Sequence, residues 1–486
     1  MNPTIRQRFL GQSWLVLWGV VLSPWSEASD LLNVWQAAQQ HDLTYQAAAA
    51  GHQAGATQKD QASALWHPTV QASGTEGRMS SQSQIQGAQF SAPGFFPATN
   101  NANFNTSING GLLQRWSVQG RQPLISGDRL AQGRELDLKS QVAELEWANA
   151  RQDLILRTVQ RYFEVVLAQE ALRVARQQTL AVERALAEVQ RKFELGDVPV
   201  TDTHEALARR EAMRAQVLAA EAEVQMKQQA LGDMTGMNPE ELTLAAPYDG
   251  VLPTVGASLN DWLTDASSHN LQWQEKSLQV EIARQEAKRY GALASSSVDL
   301  VGEVDSDHLT GSGNYGSASN TLRTSLVGVQ VTIPLYSGGM RSAHQDEKTF
   351  LARQVEAESE QVHQLVLLST REAWLGVTTG TQRAEALAHA MTASDDRVNS
   401  THLGQQVGDR STLDLLNAQS EAASTRLAWL QARIDVLINR LRLSALGGHL
   451  TDADLLAINQ WLSLPPADLA GSNSSGLLPT VVTPHP

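Results

Sequence analysis

The chain contains no cysteine. Disulfides, thiolate metal sites, a cysteine nucleophile and a lipid-anchored N-terminal cysteine are thereby excluded. Positive charge is scarce: Lys and Arg number 37 against 51 Asp and Glu, a net charge of −14. A nucleic-acid partner calls for a basic face, so none is expected. Beyond the first 28 residues there is no uncharged apolar run approaching the ~20 residues of a membrane-spanning helix. GxSxG, Walker and HExxH patterns are missing, and with them any constellation for catalysis. Gly311-Ser312-Gly313-Asn314-Tyr315-Gly316 fits GxGxxG by letter, but no helix opens after it, so it makes no dinucleotide site. His41, His67, His204 and His363 stand isolated in the sequence and read as solvated or packed helix residues rather than metal ligands.

Proline is absent from Leu124 to Val198 and from Leu335 to Leu464, and prolines bracket both runs. Proline breaks helices, so two very long ones are expected, about 130–193 and 341–404. Within the first, Leu138, Val142, Leu145, Asn149, Gln152, Leu156, Val159, Phe163 and Val166 alternate at steps of four and three. That is a coiled-coil seam. A helix over 130–193 would be a rod of ~95 Å, with no core of its own. Shorter helical stretches lie at 34–66, 203–232, 271–292 and 413–446. Two short helices end to end would match one long one.

The chain also repeats itself. LLNVWQAAQQHDLTYQ (31–46) returns as SLNDWLTDASSHNLQWQ (258–274), QPLISGDR (122–129) as IPLYSGGM (333–340), and GDVPVTD (196–202) as GDRSTLD (408–414). The offsets are 227–228, 211 and 212 residues, leaving about 16 extra residues in the first copy, in the polar stretch near 80–103. The period is too long for a solenoid unit. It marks two halves, 29–257 and 258–464, and Trp35 and Trp262 recur as packing residues under the half-helices. Residues 1–28 precede them: Arg6 and Arg8, an apolar core from Trp14 to Leu22, Pro24, and a small-x-small site at Ser26-Glu27-Ala28. This is the pattern of a secretory signal peptide cleaved after Ala28.

Between short and long helices the period changes. Val327, Val329, Val331 and Ile333 alternate with Gly328, Gln330 and Thr332, an amphipathic strand, and Val298 to Val304 make a weaker partner. Ser306–Asn320 between them reads as a polar loop; the first copy offers strands near 68–77 and 107–121 around another. Two hairpins are expected, about 68–121 and 297–334, with four strands of the ~10 residues that cross a membrane when tilted. An open strand edge in lipid costs several kcal/mol per unpaired group. Four strands cannot close a barrel, so the chain should oligomerise to complete one.

Half-helix, hairpin, long helix, tip and half-helix, twice over, resembles the TolC-type outer-membrane efflux family, closest to its TolC and type I secretion branch. PLYSGG (334–339), VGDRSTLDLLNAQ (407–419) and VLINRLRLSALGGHLTDADLLAINQWLS (436–463) carry the resemblance. It implies a mainly α fold with a small membrane β-barrel portion: a homotrimer with a 12-stranded barrel in the outer-membrane lipid and an α-helical periplasmic tunnel. It implies an exit duct for small-molecule efflux or type I protein secretion, serving an inner-membrane transporter of RND or ABC type through a periplasmic adaptor. No cofactor, metal or enzymatic activity is implied. The loops near 80–103 and 306–321 would face the cell exterior. Gly196 and Gly408 would turn the chain at the periplasmic mouth. There Thr201 and Asp202 match first-turn partners of closing contacts, Arg410 the arginine that bridges to them, and Asp414 the upper member of a pair of acidic rings. The second ring acid is Asn417 here, and Gln405 stands where a tyrosine is expected, so one ring and one contact depart from the family pattern. Helix capping would account for Asp202 and Asp414 equally well, but not for Arg410.

Two other classes fit less. A periplasmic adaptor needs lipoyl and barrel modules, and a fibrous coiled-coil protein leaves the symmetric hairpins unexplained. Residues 465–486 open with Pro465-Pro466 and continue through a Gly/Ser/Asn cluster without helical period, which is expected to be disordered. Truncation after Leu464 should leave oligomer yield and export near the full-length level. Export lost at normal yield would reveal a binding role for the tail.

Overall fold

The computed structural model describes residues 31–90, 99–241, 244–247, 252, 256–291, 295–460 and 462–463. The expected signal peptide and C-terminal tail lie outside them. The first half runs α1 (Leu31–His41), α2 (Leu43–Ala64), β1 (Thr69–Phe90), β2 (Thr99–Ser126), α3 (Gly127–Glu194) and α4 (Val200–Thr235). After a short strand β3 (Ala246–Pro247), the second half repeats the order: α5 (Leu259–His269), α6 (Leu271–Arg289), β4 (Ser297–Gly313), β5 (Gly316–Thr332), α7 (Met340–Gln406) and α8 (Thr412–Leu446). It ends in α9 (Asp452–Asn459) and β6 (Leu462–Ser463), which pairs antiparallel with β3 and ties the linker between the halves to the chain end.

The half-helix breaks have a local cause. Asp42 leaves the helical region (φ −64, ψ 116) and its side chain accepts from the Tyr45 N–H at 2.7 Å, capping α2. Asn270 does the same at the equivalent place (φ −62, ψ 123), accepting from the Trp273 N–H at 3.0 Å. An Asx side chain competes for its own backbone donors and so restarts a helix. The aromatics one turn on fix the docking: Tyr45 stacks on Trp147 of α3 with ring centroids 4.6 Å apart, and Trp273 lies 4.8 Å from His363 of α7.

The long helices have 68 and 67 residues, rods of about 100 Å at 1.5 Å per residue. Near the sheet, α2 and α6 pack on them. A Cβ at Gly55 would stand 2.2 Å from the Ala143 Cβ, so α2 and α3 touch almost backbone to backbone. Toward the far end α4 pairs with α3 and α8 with α7, crossed by Arg176–Glu221 at 2.8 Å and by an Arg397–Glu421 pair. Of the sequence seam, Val142, Gln152, Val159, Phe163 and Val166 are buried. The main core lies where α1, the middle of α3, the ends of α4 and α8, and α9 converge, with Trp35, Tyr162, Phe163, Leu231, Leu437 and Leu455 at its centre. The second half has a far smaller core around Val377, Ala384 and Val436, and leaves Phe350, Leu365, Leu368 and Leu375 of α7 exposed.

The four strands form one antiparallel sheet in the order β1-β2-β4-β5, so the hairpins of the two halves join through β2 and β4. Here the sequence expectation needs correction. The strands have 22, 28, 17 and 17 residues rather than about ten, and Ser306–Asn320 is mostly paired strand with its turn at Asn314-Tyr315. The stretch near 80–103 likewise pairs outside 91–98. Ser, Thr, Asn and Gln show no apolar alternation, yet their backbone groups fill a ladder as well as any. The extra residues of the first copy lengthen its hairpin.

The register sorts the two faces. Val70, Trp116, Val118, Leu300, Val304, Val327 and Val329 share one face. Arg115, Arg121, Asp299, Glu303, Asp305, Asp307 and Gln330 share the other, where Arg115 makes a bidentate pair with Asp307 at 2.6 Å across β2 and β4. The outer edges of β1 and β5 have no partner strand among the described residues.

Asp42 also binds Arg157 of α3, at 2.8 and 3.2 Å, and is itself almost fully buried. Burial alone would raise its carboxyl, but the hydrogen bonds from Arg157 and the Tyr45 N–H outweigh that and hold it below the usual carboxylate range. Asp42→Ala removes a cap worth about 1 kcal/mol and strips Arg157 of a charged partner worth about 1–3 kcal/mol. Thermal unfolding should show a clear fall in Tm, smaller for Asp42→Asn, which keeps the cap. Because the folded pKa is depressed, this contribution is complete above the ordinary aspartate range, near pH 4, and is lost as pH falls below it. Equal Tm for Asp42→Ala and wild type would show that the break is held by packing alone.

Candidate functional site at the distal turns

The two sequence-related turns lie at the ends of the rods farthest from the sheet. In the first, Gly196 (φ +82) reverses the chain after α3, and the Asp197 N–H reaches back to the Lys192 carbonyl at 2.8 Å. In the second, Gly408 (φ +83) does the same, with the Asp409 N–H on the Gly404 carbonyl at 2.8 Å. Both need the left-handed conformation that glycine supplies without a Cβ penalty. Pro199 then opens α4 without a side-chain cap, whereas Ser411 opens α8 with a full capping box.

This difference separates the two acids. Asp414 accepts from the Ser411 N–H at 3.0 Å and from its hydroxyl at 2.8 Å, while the Ser411 hydroxyl accepts from the Asp414 N–H at 3.0 Å. Those backbone and side-chain hydrogen bonds, joined by the nearby Arg410 charge, hold the Asp414 carboxyl below its ordinary range. Asp414 therefore caps a helix, as the capping alternative has it, and presents its remaining charge to solvent. The Asp202 carboxylate caps no helix start; among the described residues it accepts only the Thr201 hydroxyl, at 3.3 Å. Both residues are exposed.

Arg410 folds back over Gly404, where an added Cβ would meet the arginine Cγ at 2.7 Å, and among the described residues it makes neither a hydrogen bond to Thr201 nor an ion pair with Asp202. The structure thus does not join the two tips through these residues in a single protomer. Gln405 donates to the Thr412 hydroxyl at 3.0 Å, fixing the second turn internally. Asn417, the ring departure, accepts from Arg209 of α4 at 2.6 Å, and that contact does bridge the two tips. Sequence reasoning passed over Arg209. It lies two turns beyond Asp202, on the same face of α4, but only the fold sets it against Asn417.

Long paired rods thus carry a four-stranded sheet at one end and acids and arginines at the far turns. Comparison with known proteins identifies the family. The outer membrane efflux protein family matches residues 34–237 and 262–449. The chain belongs to that family. Among its relatives, the proteases secretion protein PrtF of Dickeya chrysanthemi is 26% identical across 93% of this chain and 95% of PrtF. The outer membrane protein TolC of Vibrio cholerae is 26% identical over 67% of this chain and 74% of TolC. In fold, the channel resembles the outer membrane protein VceC of Vibrio cholerae (TM-score 0.66, 14% identity, covering 87% of this chain and 98% of VceC). It also resembles the Campylobacter jejuni CmeC outer membrane channel (TM-score 0.64, 15% identity, covering 95% and 98%). It is an outer-membrane efflux channel, not an enzyme.

The capping box yields a local test. Ser411→Ala should cost the first turn of α8 about 1 kcal/mol, raising amide exchange there about five-fold while leaving the α3 core at 154–166 unchanged. The Asp414 share of that cap is present above the ordinary aspartate range and disappears as pH falls through its depressed pKa. No change in exchange near 411–415 would free Asp414 from its capping role.

Proposed function

We propose that the channel is a homotrimer, with three four-stranded sheets closing a barrel in the outer membrane and the paired rods forming a periplasmic tunnel. The observation that carries this reading is the sheet: open at both edges, with Val70, Trp116, Val118, Leu300, Val304, Val327 and Val329 on one face and the Arg115–Asp307 pair among the charges of the other. Open edges cannot remain unpaired in lipid. The bare apolar residues of α7 ask for a neighbour of the same kind. The apolar face meets lipid and the charged face lines the pore.

In this reading the distal turns form the closed mouth. Since Arg410 finds no partner on its own first tip, it reaches Thr201 and Asp202 of a neighbouring protomer, and Asp202 is left uncapped for that contact. Asp414 supplies a ring of three carboxylates. Arg209, held by Asn417, brings positive charge to the level where a second acidic ring would sit. A periplasmic adaptor and an inner-membrane transporter open the mouth and load the duct. Near full-length similarity to PrtF, and 26% identity to the alkaline protease secretion protein AprF of Pseudomonas aeruginosa over 88% of this chain, favours an ABC transporter and a secreted protein cargo over an RND pump.

A charge-assisted contact at such a mouth is worth about 1–3 kcal/mol when shielded and less in water, but repeated around a trimer it can bias the mouth shut. Arg410→Ser or Asp202→Ala should raise single-channel conductance in planar bilayers without lowering the yield of cross-linked trimer. Asp414→Ala should weaken cation preference and multivalent-cation block. Unchanged conductance with a lowered melting temperature for Arg410→Ser would assign these residues to turn stability; a stable, conducting monomer would overturn the assembly.

A further inference from the structure

Far from the distal turns, the fold gathers three possible metal ligands that lie apart in sequence. Asp265 and His269 occupy successive turns of α5, and His449 follows α8. The His269 Nδ1 lies 3.7 Å from one Asp265 oxygen and the His449 Nε2 lies 3.5 Å from the other. The two rings are 5.3 Å apart, and one donor atom from each residue falls within 4.8 Å of the others. Donors around a tetrahedral zinc at about 2.0–2.2 Å stand roughly 3.3 Å apart, so small side-chain rotations would bring these three onto one ion.

The backbone under the cluster is fixed without any ion. The Asn270 side chain donates to the Leu446 carbonyl at 3.1 Å, and the His449 N–H bonds the Ser444 carbonyl at 2.9 Å. Gly448 (φ +73) passes so close to α5 that a Cβ there would meet the His269 carbonyl oxygen at 2.2 Å. The chain's own duplication supplies a control. His41 is the counterpart of His269, and it too packs against a left-handed glycine, Gly236. Yet Ala37 and Met237 stand where the second half has Asp265 and His449. The fold therefore builds this junction without the carboxylate and without the second imidazole.

We propose that Asp265, His269 and His449 bind one borderline divalent transition-metal ion per protomer, of the zinc, copper or nickel class. Two imidazoles and one carboxylate suit such ions, whereas magnesium and calcium prefer all-oxygen shells. The exposed side of the cluster leaves the remaining coordination to water. The ion clamps the first helix of the second half to the segment between α8 and α9, across a junction the first half closes by packing alone.

The test uses the full-length channel purified in detergent without a polyhistidine tag and stripped with chelator. Zinc titrated calorimetrically should bind once per protomer, unaffected by millimolar magnesium. Copper bound at one equivalent should show nitrogen hyperfine coupling from two imidazoles by electron paramagnetic resonance. His449→Met, which installs the residue of the first half and so keeps the fold, should weaken zinc at least ten-fold and leave one coupled nitrogen. His269→Ala and Asp265→Ala should weaken it similarly. No zinc binding by the intact channel, or binding and two-nitrogen coupling unchanged in His449→Met, would overturn the site.

Discussion

The outer edges of β1 and β5 govern the rest of the structure. A backbone N–H or carbonyl facing lipid has no water to bond, and each one left unpaired costs several kcal/mol. Among the described residues this sheet has four strands, joined through β2 and β4, and its two outer edges carry many such groups. The membrane portion is therefore stable only when further strands meet both edges. The homotrimer proposed above meets this condition, and the exposed apolar residues along α7 are further surface that such a neighbour would cover.

The helical portion solves a different problem. A rod of about 100 Å has too much apolar seam for one equal partner to cover without a second break. The chain covers it with two shorter helices per half, α2 and α4 in the first and α6 and α8 in the second, while breaks at Asp42 and Asn270 set α1 and α5 off from α2 and α6. Because these breaks are capped by side chains, they are sharp, and the flanking helices keep separate axes. From these breaks α2 and α6 follow the long helices toward the sheet, while α4 and α8, entered through the distal turns at Gly196 and Gly408, pair with the outer parts of the same rods. The main core forms where these segments meet, and Asp42 with Arg157 fastens the break to α3 there. The rods beyond that core are held by narrow seams and exposed ion pairs, which contribute little individually. Mobility at the distal turns is thus compatible with a rigid middle.

At those turns, equivalent sequence does not mean equivalent chemistry. Asp414 is engaged by its own helix start, while Asp202 follows a proline that provides no cap and keeps its carboxylate available. Arg209 occupies Asn417. The asymmetry between two copies of one motif leaves the acid of one tip engaged by its own helix start and the acid of the other uncapped.

The sequence alone determined the duplication, the long helices between bracketing prolines, the alternating strand at 327–333, and the family, because each rests on a local period or a local breaker. It also located the distal turns, since glycine and an N-cap residue act within a few positions. It understated the strands, because a ladder formed by Ser, Thr, Asn and Gln has no apolar signature. Pairings across distance were decided only by tertiary structure: Arg209 with Asn417, Arg115 with Asp307, and Asp265 and His269 with His449. Nothing in the sequence set His269 and His449 apart, because no spacing rule joins residues separated by nearly the whole second half of the molecule. Long-range contacts of this kind depend on how rods and sheet are placed, which is set by the sum of many packing choices rather than by any residue that a linear reading can single out.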